Sequence, residues 1–180
     1  MEFNFFGGDL ALDLTGTLGR RYGGTPVEFL HTPADLHRWF AAAGVGDPSA
    51  VVGDADLAAA KELREAIYRL AYAAMTAAVF DPADRAVVNE AAAVAPPLVR
   101  IDDTGALVRS GSARASLSLV ARAAIALVTG PATAQLHECE GPACTRMFLD
   151  NSARGTRRWC DMSRCGNRAK VAKFRARQTT

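Results

Sequence analysis

The sequence predicts a mainly α-helical protein of α+β character: a multihelical N-terminal domain with one small hairpin, followed by a compact four-cysteine module. Three observations carry that prediction. Apolar residues recur at helical spacing between breaks bearing Pro and Gly through residues 1–130. The only cysteines of the 180-residue chain fall near its C-terminal end, as Cys139-x4-Cys144-x15-Cys160-x4-Cys165. Charge is segregated as well. Residues 1–138 hold 11 Lys/Arg against 16 Asp/Glu, whereas residues 139–180 hold 10 against 3, giving balances of −5 and +7 within an overall +2.

Taken in order, Leu10, Leu14 and Leu18 stand at i, i+4 and i+8 behind Asp9, a capping residue, and predict a short first helix broken by Gly19–Gly24. Thr32-Pro33-Ala34-Asp35 is a helix start: Thr32 caps, Pro33 suits the first helical position and Asp35 meets the positive helix end. Leu36, Trp39, Phe40 and Ala43 form its buried face, and Gly44 stops it. The longest helix is expected from Asp54–Asp56 to about Val79, with Leu57, Ala60, Leu63, Ile67, Leu70 and Ala74 as one stripe. Asp81-Pro82 opens another, which Pro96-Pro97 ends. Leu98–Ile101 and Ala106–Val108 flank the turn sequence Asp102-Asp103-Thr104-Gly105, so a hairpin fits there. A last helix of this domain runs over about Ser112–Val128 and buries Leu117, Val120, Ala124 and Leu127. Gly130–Gln135 is a short linker that keeps the tail beside the body.

Each cysteine pair places two thiolates on one tight turn, and the 15-residue loop lets the second pair fold back to complete a tetrahedron. Four soft ligands with no other donor suit one structural Zn²⁺ and leave no open position for substrate. Iron–sulfur ligation, and disulfide pairing or free thiols, are the alternatives to zinc. The first nine residues contain no basic segment followed by an apolar stretch, and no run approaches the roughly 18–20 apolar residues of a membrane helix. A soluble cytoplasmic protein is therefore expected, where thiols stay reduced and such a cluster binds metal.

In the tail, the first pair should form a knuckle, with Met147–Leu149 and Arg157–Trp159 as two strands of a hairpin. The second pair should open a helix over about Asn167–Arg177. Knuckle, hairpin and helix around one metal make a treble-clef-like zinc finger with four cysteine ligands, and Phe148, Trp159, Val171 and Phe174 form its small core.

The run Arg157-Arg158-Trp159-Cys160-Asp161-Met162, followed by Cys165-Gly166-Asn167-Arg168-Ala169-Lys170, resembles the signature of the CGNR zinc finger. That finger is typically joined to an N-terminal ABATE domain, and Gly8–Leu14, Thr32–Leu36 with Trp39, and Leu63–Ala66 are similar to it. The resemblance places the domains at 1–130 and 136–180. It implies a bacterial DNA-binding regulator of stress-induced transcription, with Cys139, Cys144, Cys160 and Cys165 as zinc ligands. One departure stands out: the family has an Asn-Thr pair after the Leu-Asp run, where this chain has Gly16-Thr17.

For function, the basic tail points to a polyanion. Arg157, Arg164, Arg168, Lys170, Lys173, Arg175 and Arg177 are the candidate DNA contacts, with Arg158, beside Trp159, assigned a structural role within the finger. Lys170, Lys173 and Arg177 share one helix face, while Val171 and Phe174 should face inward. A purely structural or protein-docking finger is the alternative. An enzyme is not expected, because residues 1–130 offer no paired nucleophile and base, no phosphate loop and no His-based metal motif. His31 and His37 flank a helix start, and His137 would be a ligand only if one cysteine were not. The helical domain is large enough to sense a small-molecule effector or to mediate homodimerisation. Asp13, Thr17, Arg64 and Tyr68 are candidate effector-binding residues.

Overall fold

Helix α1 (Leu10–Thr15) begins where the Asp9 carboxylate accepts from the Ala11 N–H at 2.8 Å, the cap expected at that position. The computed structural model describes residues 3–22 and 25–178, apart from the side chains of Lys173, Ala176 and Gln178; Gly23 and Gly24 of the expected break lie outside the described residues. The helix stops short of Leu18. Thr15 and Thr17 hydroxyls donate to the Leu12 and Leu14 carbonyls at 2.7 Å each, which satisfies the helix end. Leu18 instead starts a short ribbon in which β1 (Leu18–Gly19) pairs antiparallel with β2 (Val27–Glu28).

Helix α2 (Pro33–Ala42) opens with a full capping box between Thr32 and Asp35 and buries Leu36, Trp39 and Phe40. Helix α3 (Asp54–Met75) lays Leu57, Ala60, Leu63, Ile67 and Leu70 along one buried face. Its expected extension to Val79 does not form. Ala77 turns left-handed at φ 53° and the Ala78 N–H closes back on the Ala73 carbonyl at 2.8 Å. Val79 is 95% exposed, so another turn would bury nothing to offset its ordering.

Asp81 caps α4 (Pro82–Ala93). After Pro96-Pro97, β3 (Leu98–Ile101) and β4 (Leu107–Ser110) form the predicted hairpin, with Ile101 opposite Leu107. The Asp102 carboxylate gathers the Thr104 and Ala106 N–H groups at 2.9 Å each, and Gly105 supplies the left-handed turn residue at φ 83°. Ser112 caps α5 (Ala113–Thr129). Helices α1, α3, α4 and α5 pack around Leu14, Leu36, Trp39, Leu63, Ile67 and Val120. Each such fully buried side chain contributes roughly 1.5–3 kcal/mol.

The linker folds as a 3-10 turn over Pro131–Gln135 and delivers β5 (Leu136–Glu138) to β6 (Met147–Leu149), antiparallel, with Leu136 opposite Leu149. This corrects the expected hairpin: β6 pairs with β5, and Arg157–Trp159 forms no strand. The physical reason is burial. Leu136, Met147 and Leu149 interlock with Leu12, Tyr68, Ala71 and Leu127 of the body in a second apolar cluster, so β5–β6 seats the tail on the helices. A π-helical turn (Met162–Gly166) then leads into α6 (Asn167–Gln178). On α6, Val171 and Phe174 are 48% and 61% exposed, against the expectation that they complete the finger's core. That core is Phe148, half-buried Trp159 and the cysteines themselves. The metal site takes up the space that a larger apolar core would fill.

Candidate metal centre

The turn between β5 and β6 presents Cys139 and Cys144, and the π-helical turn before α6 presents Cys165, with Cys160 just ahead of it. The knuckle closes where the Cys139 N–H donates to the Arg146 carbonyl at 2.9 Å. Glycine at 141 keeps it uncrowded, since a Cβ there would meet the Cys165 Cβ and Sγ at 3.1 Å and the Cys139 Sγ at 3.3 Å. The second turn is held by Asp161, whose carboxylate accepts from the Ser163 N–H at 2.8 Å and whose carbonyl accepts from the Cys165 N–H at 2.9 Å. These two turns bring all four Sγ atoms within 4.8 Å of one another. Cys139, Cys160 and Cys165 are buried and Cys144 is half-buried.

The donor set fits zinc. A regular tetrahedron of thiolates at roughly 2.3 Å from Zn²⁺ has edges of roughly 3.8 Å. The Cys144–Cys160 and Cys160–Cys165 sulfurs lie 3.8 and 3.7 Å apart. None of the four is in a disulfide, whose sulfurs would sit about 2.05 Å apart. The electrostatics call for a cation. Hydrogen bonds from the Cys144 and Cys160 thiols, joined by the Cys160 and Gly141 N–H groups, hold Cys139 far below the ordinary thiol range. The same interaction with Cys139 pushes Cys144 up to about 12 and raises Cys160 as well. One thiolate thus forms readily and its neighbours resist joining it. A divalent cation at the centre removes that resistance.

Each residue of the Cys165-Gly166-Asn167-Arg168 run serves this site. Cys165 is a sulfur donor. Gly166 leaves room for Met162, whose Sδ would lie 2.6 Å from an added Cβ. The Asn167 amide donates to the Ser163 carbonyl at 2.8 Å and closes the turn. Arg168, expected at DNA, directs Nη2 to the Cys165 Sγ at 3.2 Å and offsets the negative charge of a zinc tetrathiolate. Arg157 is likewise engaged within the fold. Its guanidinium donates to the Phe6, Leu149, Trp159 and Cys160 carbonyls and lies 4.3 Å from the Phe148 ring centroid. Arg158 pairs with Glu140 and lies over Trp159. Arg164 is ion-paired with Asp161 at 3.7 Å but largely exposed. Lys170, Arg175 and Arg177 are exposed on α6, which also carries Lys173. His137 sits against the Phe148 ring, outside the sulfur cluster.

The four candidate effector residues are each engaged with partners inside the fold. Arg64 is buried and bidentate to Glu28 at 2.7 and 2.9 Å, with further bonds to Glu65 at 2.8 Å and Thr17 at 3.2 Å. Tyr68 donates to Glu138 at 3.3 Å, and burial together with that carboxylate raises its phenol. Asp13 accepts from the Gly7 N–H at 2.9 Å. Glu28 and Arg21, which completes the group through Glu65 at 3.0 Å, were not foreseeable, because a lone charge in a loop does not reveal a partner tens of residues away.

A family model described as "Putative stress-induced transcription regulator", ABATE, matches residues 8–131. A second, the CGNR zinc finger, matches residues 135–178. No curated protein matches the chain. At Gly16, where the resemblance implied an asparagine, the backbone carbonyl accepts from Arg146 at 3.2 Å. No helix among the described residues is long and apolar enough to cross a membrane. With its first family model spanning more than half of the sequence, and with Cys139, Cys144, Cys160 and Cys165 holding one structural zinc, the chain belongs to the ABATE family and ends in a CGNR zinc finger.

Proposed function

We propose that the chain is a DNA-binding transcription regulator whose helix α6 contacts the duplex. One observation carries this reading: α6 bears Arg168, Lys170, Lys173, Arg175 and Arg177 with no acidic residue, and it continues directly from the last zinc-ligating cysteine. A basic helix fixed at one end by a metal neutralises phosphates without ordering the helix anew at binding. The exposed Val171 and Phe174 supply the apolar contacts that thymine methyl groups and sugars accept. With Arg157 engaged inside the finger and the exposed Arg168 turned to the Cys165 sulfur, the contacts fall to Arg164, Lys170, Lys173, Arg175 and Arg177. The finger, residues 136–180, acts as the DNA-reading unit. Residues 1–130 act as an effector-sensing or dimerising unit in a cytoplasmic protein that is not an enzyme. The closed tetrathiolate supports the last point, since it leaves no position for a catalytic water.

Titrating the zinc-loaded protein into labelled random duplex DNA at several salt concentrations, with a chelator control, tests this reading by fluorescence anisotropy. Five phosphate contacts give a log–log salt slope of about −4.5. Binding that ignores salt or survives zinc removal defeats the proposal. The exposed Phe174 also favours a protein-docking finger, and that reading gains if no DNA binding occurs at low salt.

A further inference from the structure

A cavity of 290 Å³ lies between the β1–β2 ribbon of the body and the two cysteine turns of the finger. Cys144, Cys160 and Cys165 stand on its wall, so it adjoins the metal position and extends from there to the β1–β2 ribbon. Its wall is mixed in chemistry. Phe6, Val27 and Phe29 supply apolar surface, and Arg20, Arg146, Arg164 and Arg168 supply four cationic side chains, with the Arg164 guanidinium 5.9 Å from the Phe6 ring centroid. Pockets of ~300–1,000 Å³ hold small organic ligands, and this one sits at the lower end of that range.

The charges on the wall decide what fits. Arg164 faces Asp161, and Arg168 faces the Cys165 sulfur. Neither Arg20 nor Arg146 has a carboxylate within ion-pair distance among the described residues. Four positive charges against one from Asp161 and two from a zinc tetrathiolate leave an excess of one on the wall, part of which Asp13 takes up through Arg146, so a ligand can bring at most one negative charge. Arg20 is also held left-handed at φ 55°, a conformation uncommon outside glycine and concentrated at ligand clamps.

We infer that this cavity is a binding site for a small organic acid, a monoanionic carboxylate with an aromatic or aliphatic body. The carboxylate meets Arg20 and Arg146, and the body lies against Phe6, Val27 and Phe29. A dianionic phosphate would overshoot the available charge, and a neutral ligand would leave Arg20 without the charged partner that a carboxylate supplies. Such a ligand touches the body and the zinc turns at once, so it fixes the finger's position on the helices. Only the consequence for DNA affinity rests on the regulator reading above.

The test is calorimetric titration of the zinc-loaded full chain with benzoate and 2-naphthoate, run beside 2-naphthalenemethanol, phenyl phosphate and inorganic phosphate. A saturable site for at least one of the carboxylates is expected, with the alcohol and both phosphates at least tenfold weaker. Arg20→Gln, at an exposed position, and Val27→Glu, at the partly exposed apolar wall, should each weaken carboxylate binding at least tenfold while zinc content and unliganded Tm stay unchanged. The site is refuted if neither carboxylate binds, if the alcohol or a phosphate binds equally well, or if both folded variants keep full affinity. No DNA is present in this titration, so its failure leaves the DNA proposal standing. A failed DNA titration likewise leaves this site standing.

Discussion

The helical body and the finger solve the same problem by different means. The body buries Leu14, Leu36, Trp39, Leu63, Ile67, Val120 and their neighbours in one continuous core, so its stability is spread over many side chains. The finger buries Phe148 and three cysteines, with Cys144 and Trp159 half-buried, so its stability rests on one ion. Distributed stability degrades gradually, whereas stability that depends on one metal is lost at once. Between them lies the seam of Leu12, Tyr68, Leu127, Leu136, Met147 and Leu149, which holds β5–β6 to the body without reference to the metal.

The sharpest way to break this comparison is to remove the zinc. Structural sites of this class contribute about 10–16 kcal/mol of metal-binding free energy at neutral pH. A chelator, or Cys160→Ser, should therefore unfold residues 150–178 while the body keeps its helices. Amide exchange would read this out directly: protection should vanish over 160–178 and persist over β5–β6 and α3. If the body melts as well, the two regions form one cooperative unit and the contrast fails.

Trp39→Ala probes the other side. It removes a fully buried ring from the core and should cost about 3–5 kcal/mol in denaturant unfolding, with zinc stoichiometry intact. Loss of zinc in this variant would mean that the finger depends on the body more than the seam suggests. Arg168→Lys sharpens the boundary between metal support and DNA contact. Loss of the guanidinium beside the Cys165 sulfur should weaken zinc affinity about 10–100-fold in a competition assay. A variant with unchanged zinc affinity and reduced DNA affinity would return Arg168 to the DNA-contacting set.

Much of this was legible in the chain, and the pattern of what was legible is physical. Asp9, Thr32, Asp81 and Ser112 announced helix starts because a cap acts on N–H groups two or three residues away. The four cysteines announced one site because their chemistry leaves few alternatives. The pairing of β6 with β5, the early end of α3 at Ala77 and the exposure of Phe174 were not legible. Each depends on which distant surface the segment meets, and periodicity says that a face is apolar without saying that anything covers it. Arg157 and Arg64 teach the same lesson for charge. Composition counts a guanidinium as free for a partner, and the fold had already supplied one.

The smallest expected effect concerns Asp13, and it asks whether the body carries a titratable weakness of its own beside the finger's dependence on metal. Burial, with Asp9 adding to it, raises the Asp13 carboxyl to about 6, against an ordinary value of 3.8, despite the Gly7 N–H and Arg146 pulling the other way. A carboxyl raised in the folded state binds its proton more tightly there than in the unfolded chain. Its contribution is therefore fully present below about pH 4 and is lost as pH rises through about 6. Acid also protonates thiolates and releases zinc, so wild type alone would mix two opposite trends. Asp13→Asn separates them, because the amide oxygen can still accept from Gly7 and no longer titrates. Urea unfolding of the body, followed from pH 4.5 to 7.5, should show the wild type losing stability relative to the variant as pH rises. Parallel curves would mean that Asp13 is better solvated than its burial implies, and the metal would then be the only pH-sensitive element in the comparison.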